Sequence, residues 1–296
     1  MRIRFARAAM LILAFSSAAG VAPLASAAEQ STAPSQPKAS DVLKPRTVRE
    51  ISSPITDRFA LRVTYFAPSV STEFRLDPDN PLLAGTDLVA ENDLGLADHE
   101  NQARMEMIIR LRERNRLRVD YFKMSRFGDV VLNRQIVFGN DTFNVTDRVQ
   151  SMLEWRALGL TYTRSFWRSE RFEFGGGIGV AFLEAHASGA VTARNIREER
   201  SSPGGFPTLA LDGTWRISKR WSFNARGQRF SAHVNDFQGL MAEYHGDFQY
   251  RWREVFSFGL GYTKLRTAID VVGDNDFSGR FHQEVKGPEF FIRASF

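Results

Sequence analysis

The feature that most restricts this chain is a two-residue period. In residues 241–252 the even positions are Ala242, Tyr244, Gly246, Phe248, Tyr250 and Trp252, while the odd ones are Met241, Glu243, His245, Asp247, Gln249 and Arg251. Successive strand side chains point to opposite faces, so this stretch has one apolar and one ionic face as a strand and neither as a helix. The same alternation runs through 59–65, 105–111, 117–121, 172–182, 209–217, 256–262 and 290–296. Segments of about ten such residues suit a tilted strand crossing a bilayer.

Connection lengths alternate too. Short turns fall at 113–116, 167–170, 218–220 and 253–255, and long connections at about 70–102, 127–147, 186–206, 233–239 and 268–281. This layout predicts an all-β fold, an antiparallel up-and-down transmembrane barrel of about ten strands over residues 58–296, with both ends on the short-turn side. Counts of eight or twelve stay open at two places. Residues 149–166 change phase between Trp155 and Leu158, which suggests a bulge. Residues 130–146 read as a hairpin that either extends its neighbours above the membrane or adds two spans.

The N-terminus reads as an address. Arg2, Arg4 and Arg7 precede an apolar run from Ala8 to about Ala22, which ends on Ala25-Ser26-Ala27-Ala28. Residues 1–28 therefore read as a secretory signal peptide; the run is shorter than the roughly 20 residues of a spanning helix. Residues 29–57, with Pro34, Pro37, Pro45 and Pro54, read as a flexible periplasmic tail. Removing the signal lowers Lys+Arg from 39 to 36 against 34 Asp+Glu, so the net charge falls from +5 to +2. No argument for nucleic acid survives that subtraction. The chain has no Cys, which excludes disulfides and thiolate metal sites.

Alternation alone does not separate a membrane barrel from a soluble one, which has its apolar side chains inside. Three features do. Trp167, Trp215, Trp221 and Trp252 lie in or beside the short turns, where an aromatic girdle meets the headgroups. The short turns are rich in Arg, whereas the first long loop carries eight acids and one base. Finally, the chain ends with Phe290, Ile292 and Phe296 on one face. That ending resembles the terminal insertion signature of small Gram-negative outer-membrane β-barrels, which the barrel assembly machinery reads. The resemblance implies a monomer in the outer membrane, in contact with its lipid and lipopolysaccharide, and says nothing of activity.

The inward face is ionic. Arg104, Glu106, Arg118, Asp120, Glu154, Arg156, Arg216, Arg226, Glu243, His245, Asp247 and Arg251 are expected to line the lumen, together with Arg62, Arg110, Glu173, Asp212, Asn224, Gln249 and Arg293. Two readings follow: an ion-pair network that fills the lumen and stiffens the barrel, or a narrow path for small polar solutes. A third, enzymatic reading rests on His186 and Ser188, which share the lipid-facing parity of Phe182, with Asn195 or alternatively Glu184 as a nominal orienting group. The pair resembles the His-x-Ser element of outer-membrane phospholipase A and lipid A deacylases, and the resemblance implies hydrolysis of a lipid at the outer leaflet. No cofactor or metal site is expected. The acids of the first long loop and of 274–279 match no calcium loop, and His99, His233 and His282 form no metal-spaced cluster.

Overall fold

A computed structural model describes residues 53–78, 84–191, 196–234, 237–274 and 277–296. The elements in chain order are β1 (Phe59–Phe66), β2 (Ser69–Leu76), β3 (Leu88–Val89), α1 (Ala90–Asp93), β4 (Gln102–Arg112), β5 (Asn115–Val131), β6 (Ile136–Phe138) and β7 (Asp141–Phe143). They continue with β8 (Arg148–Arg168), β9 (Phe172–Val191), β10 (Ile196–Arg216), β11 (Trp221–Val234), β12 (Phe237–Arg251), β13 (Phe256–Asp274) and β14 (Phe277–Ser295). Strand β1 pairs with both β4 and β14, so the sheet closes on itself as a ten-stranded antiparallel barrel. Past Ala67 and Pro68, β2 takes over the upper part of β14. Closure matters because an open edge has no water to satisfy it within a bilayer.

Both chain ends of the barrel lie on the short-turn side, where Arg58 and Phe59 donate to the Phe296 carbonyl at 2.9 and 3.0 Å. Around that side the outward residues include Trp167, Trp215, Trp221 and Trp252, all exposed. Above them the outward face of each strand is apolar: Phe256, Phe258, Leu260 and Tyr262 on β13, or Leu209 and Leu211 on β10. Leu209 is 71% exposed, which water would not tolerate across a whole belt of such residues. The belt spans about eight residues of tilted strand, roughly 20–25 Å of height, matching the apolar band of a membrane barrel.

At the top of the belt the two faces exchange character. Outward positions become charged at Lys123, Arg156, Glu184, Lys264 and Lys286, while their inward neighbours Phe122, Trp155, Leu183, Leu265 and Val285 are buried in one apolar cluster. The strands thus run beyond the bilayer as an ordinary water-facing barrel with a hydrophobic interior. This accounts for two departures from the sequence reading. Much of the long connections expected at 186–206, 233–239 and 268–281 is ladder, paired up to Val191↔Ile196, Val234↔Phe237 and Asp274↔Phe277. No bulge occurs between Trp155 and Leu158: pairing is regular on both sides of β8 there, and the register shift lies lower, between Ser165 and Trp167. The hairpin at 130–146 spans nothing, since β6 and β7 pair only with each other.

Glycine placement follows from the lumen's crowding. A Cβ on Gly159 would stand 2.6 Å from the carboxylate of its ladder partner Asp120, so the glycine makes room for that inward-facing side chain. Gly175 and Gly177 would each press a Cβ against a carbonyl of β8. The glycine run at 175–179 is therefore a close strand contact.

Candidate functional site in the lumen

Below the inversion level the lumen is an ion-pair lattice. Arg62 donates to Asp247 at 2.8 Å and to Glu289, and its guanidinium lies 3.6 Å from the centre of the Phe291 ring. His245 bridges Asp247 at 2.7 Å and the Thr263 hydroxyl at 2.8 Å. Arg104 pairs with Glu243 at 2.7 Å, and Arg226 pairs with Glu106. Nearer the short turns, Arg110 takes both oxygens of Glu173, at 2.7 and 2.8 Å, and Arg116 holds Asp212. Every cation in this lattice is Arg, whose planar fork serves two carboxylate oxygens at once. Arg118 has the loosest partner, Asp120 at 3.8 Å.

The short-turn end is stoppered by the chain itself. Asp57 is buried and receives Arg251 at 2.5 Å and Arg293 at 3.3 Å, while the carbonyls of Pro54 and Ile55 accept from Arg110 and Arg168. Residues 53–57, assigned to the flexible tail on composition, are thus a fixed turn. The charges of Asp57, Arg251 and Arg293 explain why, since none can be left unpaired in so enclosed a place. A polar cavity of about 60 Å³ remains, lined among others by Arg62, Glu106, Arg118, Arg226, His245 and Asp247. It has room for a few water molecules.

Above the lattice Phe122, Met124, Trp155 and Leu183 pack across the lumen, with Trp155 stacked on Phe281 at 5.4 Å. A second apolar layer lies over them, where Leu88, Leu132, Ile136 and Phe143 from the two longest connections meet Val149 and Val191. The first connection is fastened by Arg126, which has no exposed surface and donates to Glu91 at 2.6 Å, to the Ala97 carbonyl at 3.2 Å and to the Thr72 hydroxyl at 2.5 Å. A small apolar cavity of about 40 Å³ is left beside this layer. At the outer wall, Arg148 forks onto Asp129 at 2.8 and 2.9 Å, and that hydrogen bonding holds the Asp129 carboxyl below its ordinary range.

Of the residues expected in the lumen, Arg104, Glu106, Arg118, Asp120, Arg226, Glu243, His245, Asp247 and Arg251 face inward, and Arg216 shares the inward parity of Thr214. Glu154 and Arg156 do not. They face outward, where Glu154 meets Lys123 at 2.9 Å and Arg156 lies 3.5 Å from Glu184. Trp155 takes the inward place because β8 is above the membrane at this level. Asp57, Arg116, Thr263 and Glu289 complete the lattice and were not picked out from sequence. For Glu289 the signal was present: counting back by twos from Arg293 passes Phe291 and reaches it.

Glu184, His186 and Ser188 lie in a row on the outward face of β9 above the belt. Across the ladder His186 is level with Glu154 on β8, and Glu184 is occupied by Arg156. Asn195, the other nominal orienting group, lies outside the described residues. Among the described residues no group of three or more His, Asp or Glu is placed to hold a metal ion. Phe290, Ile292 and Phe296 point outward on the last strand and its end.

No family model matches the chain, and no curated protein matches it in sequence. Solved structures do. The outer membrane protease OmpT of Escherichia coli aligns over 80% of this chain and 96% of its own, at 9% identity and a TM-score of 0.52. Ail, the attachment invasion locus protein of Yersinia pestis, aligns over 79% and 99% at 8% identity and a TM-score of 0.35. The Pseudomonas putida toluene transporter TodX aligns over 83% and 93% at 7% identity and a TM-score of 0.34. At such identities the OmpT likeness speaks for fold alone, that of an outer-membrane β-barrel.

Proposed function

We propose that this protein is a monomeric barrel of the Gram-negative outer membrane with a structural envelope role, and that its lumen is filled and does not conduct. The reading is carried by the two-storey filling: ion pairs among Arg62, Glu106, Arg226, Glu243, Asp247 and Glu289 below, and apolar packing around Trp155 above. Such a lattice stiffens a barrel, because its guanidinium groups tie strands that are not ladder neighbours, as Arg226 of β11 ties β4 and Arg104 of β4 ties β12. Export through the signal peptide of residues 1–28 and insertion by the assembly machinery through Phe290, Ile292 and Phe296 belong to the same reading. A narrow path for small polar solutes is weaker, since the polar cavity of about 60 Å³ lies between the Asp57 stopper and the apolar layers. Lipid hydrolysis by His186 and Ser188 gains no support from a row whose Glu184 lies against Arg156.

The test is electrical. Folded protein incorporated into a planar bilayer, with insertion verified by heat-modifiable gel migration, is expected to give no unitary current steps. Stable steps of reproducible size would overturn the closed lumen.

A further inference from the structure

Just above the apolar belt the outer wall is charged, and its two sides are built differently. On β5, β8 and β9, Lys123 and Arg156 are matched by Glu154 and Glu184, with Lys123 2.9 Å and Glu184 3.5 Å from their partners. That side neutralises itself. At the same level on β11, β13 and β14 the cations Arg229, Lys264, Arg266 and Lys286 face one acid, Glu284, while Asp270, higher on the outward row of β13, is taken by Arg280 and His282.

Lys264 and Lys286 stand directly opposite each other in the β13–β14 ladder, an arrangement that is unfavourable without a counter-ion. Glu284 supplies part of one, taking Lys264 at 2.9 Å and Lys286 at 2.7 Å. Both its oxygens are thereby engaged, and Arg266, directly across from Glu284, has neither an ion pair nor a hydrogen bond among the described residues. Arg229 has none either, and it lies on the same ladder row, Arg229↔Ala242↔Arg266. Two strand spacings put these two side chains roughly 10 Å apart. Directly beneath are the exposed apolar groups Tyr244, Leu260 and Tyr262. A molecule suited to this place has chains that lie along those rings and more than one anionic group level with the cations.

We propose that the β11–β14 face binds the phosphate groups of a phosphorylated outer-leaflet lipid through Arg229, Lys264, Arg266 and Lys286. Guanidinium and ammonium groups at the headgroup boundary satisfy phosphate oxygens at little desolvation cost, and the lipid relieves the Lys264–Lys286 repulsion. This inference rests on the membrane reading above.

The experiment uses the full mature barrel folded in a neutral detergent, with lipid A as the probe and bound lipid counted by native mass spectrometry. Three preparations are compared: wild type, the variant Arg229→Gln/Arg266→Gln, and Lys123→Gln/Arg156→Gln on the opposite side. Folding of each is checked by heat-modifiable migration and by insertion into phosphatidylcholine vesicles. Lipid A retention is expected to fall at least about tenfold in the first variant, the scale of one lost charged hydrogen bond, and to stay at the wild-type level in the second. Lipid A stripped of its phosphates should be retained about as poorly by wild type. Equal retention of stripped lipid, unchanged retention in the first variant, or an equal fall in the second would overturn the site. Displacement of the lipid by millimolar inorganic phosphate would reassign it to a free anion and overturn the lipid. Wild type that inserts into vesicles yet shows no phosphate preference removes this inference alone, whereas failure to insert removes the membrane reading and the site with it.

Discussion

The lower and upper storeys of the barrel are made by the same strands with the same two-residue alternation, yet they are filled by opposite chemistries. Below, Leu260 and Phe258 face out while Gly259 and Gly261 leave room for Phe291 and Glu289 inside; above, Lys264 faces out and Leu265 is buried. The surroundings of the wall decide which parity is polar. Where the outside is hydrocarbon, charges find partners only in the lumen. Where the outside is water, charges go out and the lumen becomes an ordinary hydrophobic core.

The hardest blow to the lower storey is Arg62→Met. It leaves Asp247 and Glu289 buried with a lost counter-charge, and a loss of about 3–5 kcal/mol is expected in urea titrations of the barrel in lipid vesicles. A loss below about 1 kcal/mol would mean that the lattice is not structural and would erase the contrast between storeys. In the upper storey Met124→Ala removes a side chain that is 1% exposed, for about 2–5 kcal/mol by the same measurement. A neutral outcome there would mean a loosely packed upper lumen. The boundary itself is located by Leu260→Arg, expected to cost about 2–4 kcal/mol at mid-belt, against a change within about 1 kcal/mol for Lys264→Leu four residues higher. Equal effects would place the membrane elsewhere.

Legibility in the sequence followed the same division. Apolar outward residues at 256–262 and 290–296 are unbroken, so the spanning parts, the short turns and the closure side could be read directly. The upper parts of the strands were lost. At 185–189 the inward positions are small, Ala185, Ala187 and Gly189, and the outward ones polar, so the period fades and reads as loop. Glu154 and Arg156 face outward because they lie past the level at which the meaning of parity reverses. Arg126 with Glu91, and Asp57 with Arg251, join residues 35 and 194 positions apart, and no local pattern announces such pairs.

A strand-built barrel with an apolar coat, an ionic lumen and aromatic groups at one rim is written in the chain locally, because a two-residue period fixes which side chains share a face. Where that coat ends, which charge meets which, and the filling of the two mouths by residues 53–57 and the first long connection follow from the folded barrel alone. Faces are set by neighbours in sequence. Partners and heights are set by closing the sheet, which brings β1 against β14 and gives every side chain a level within the wall.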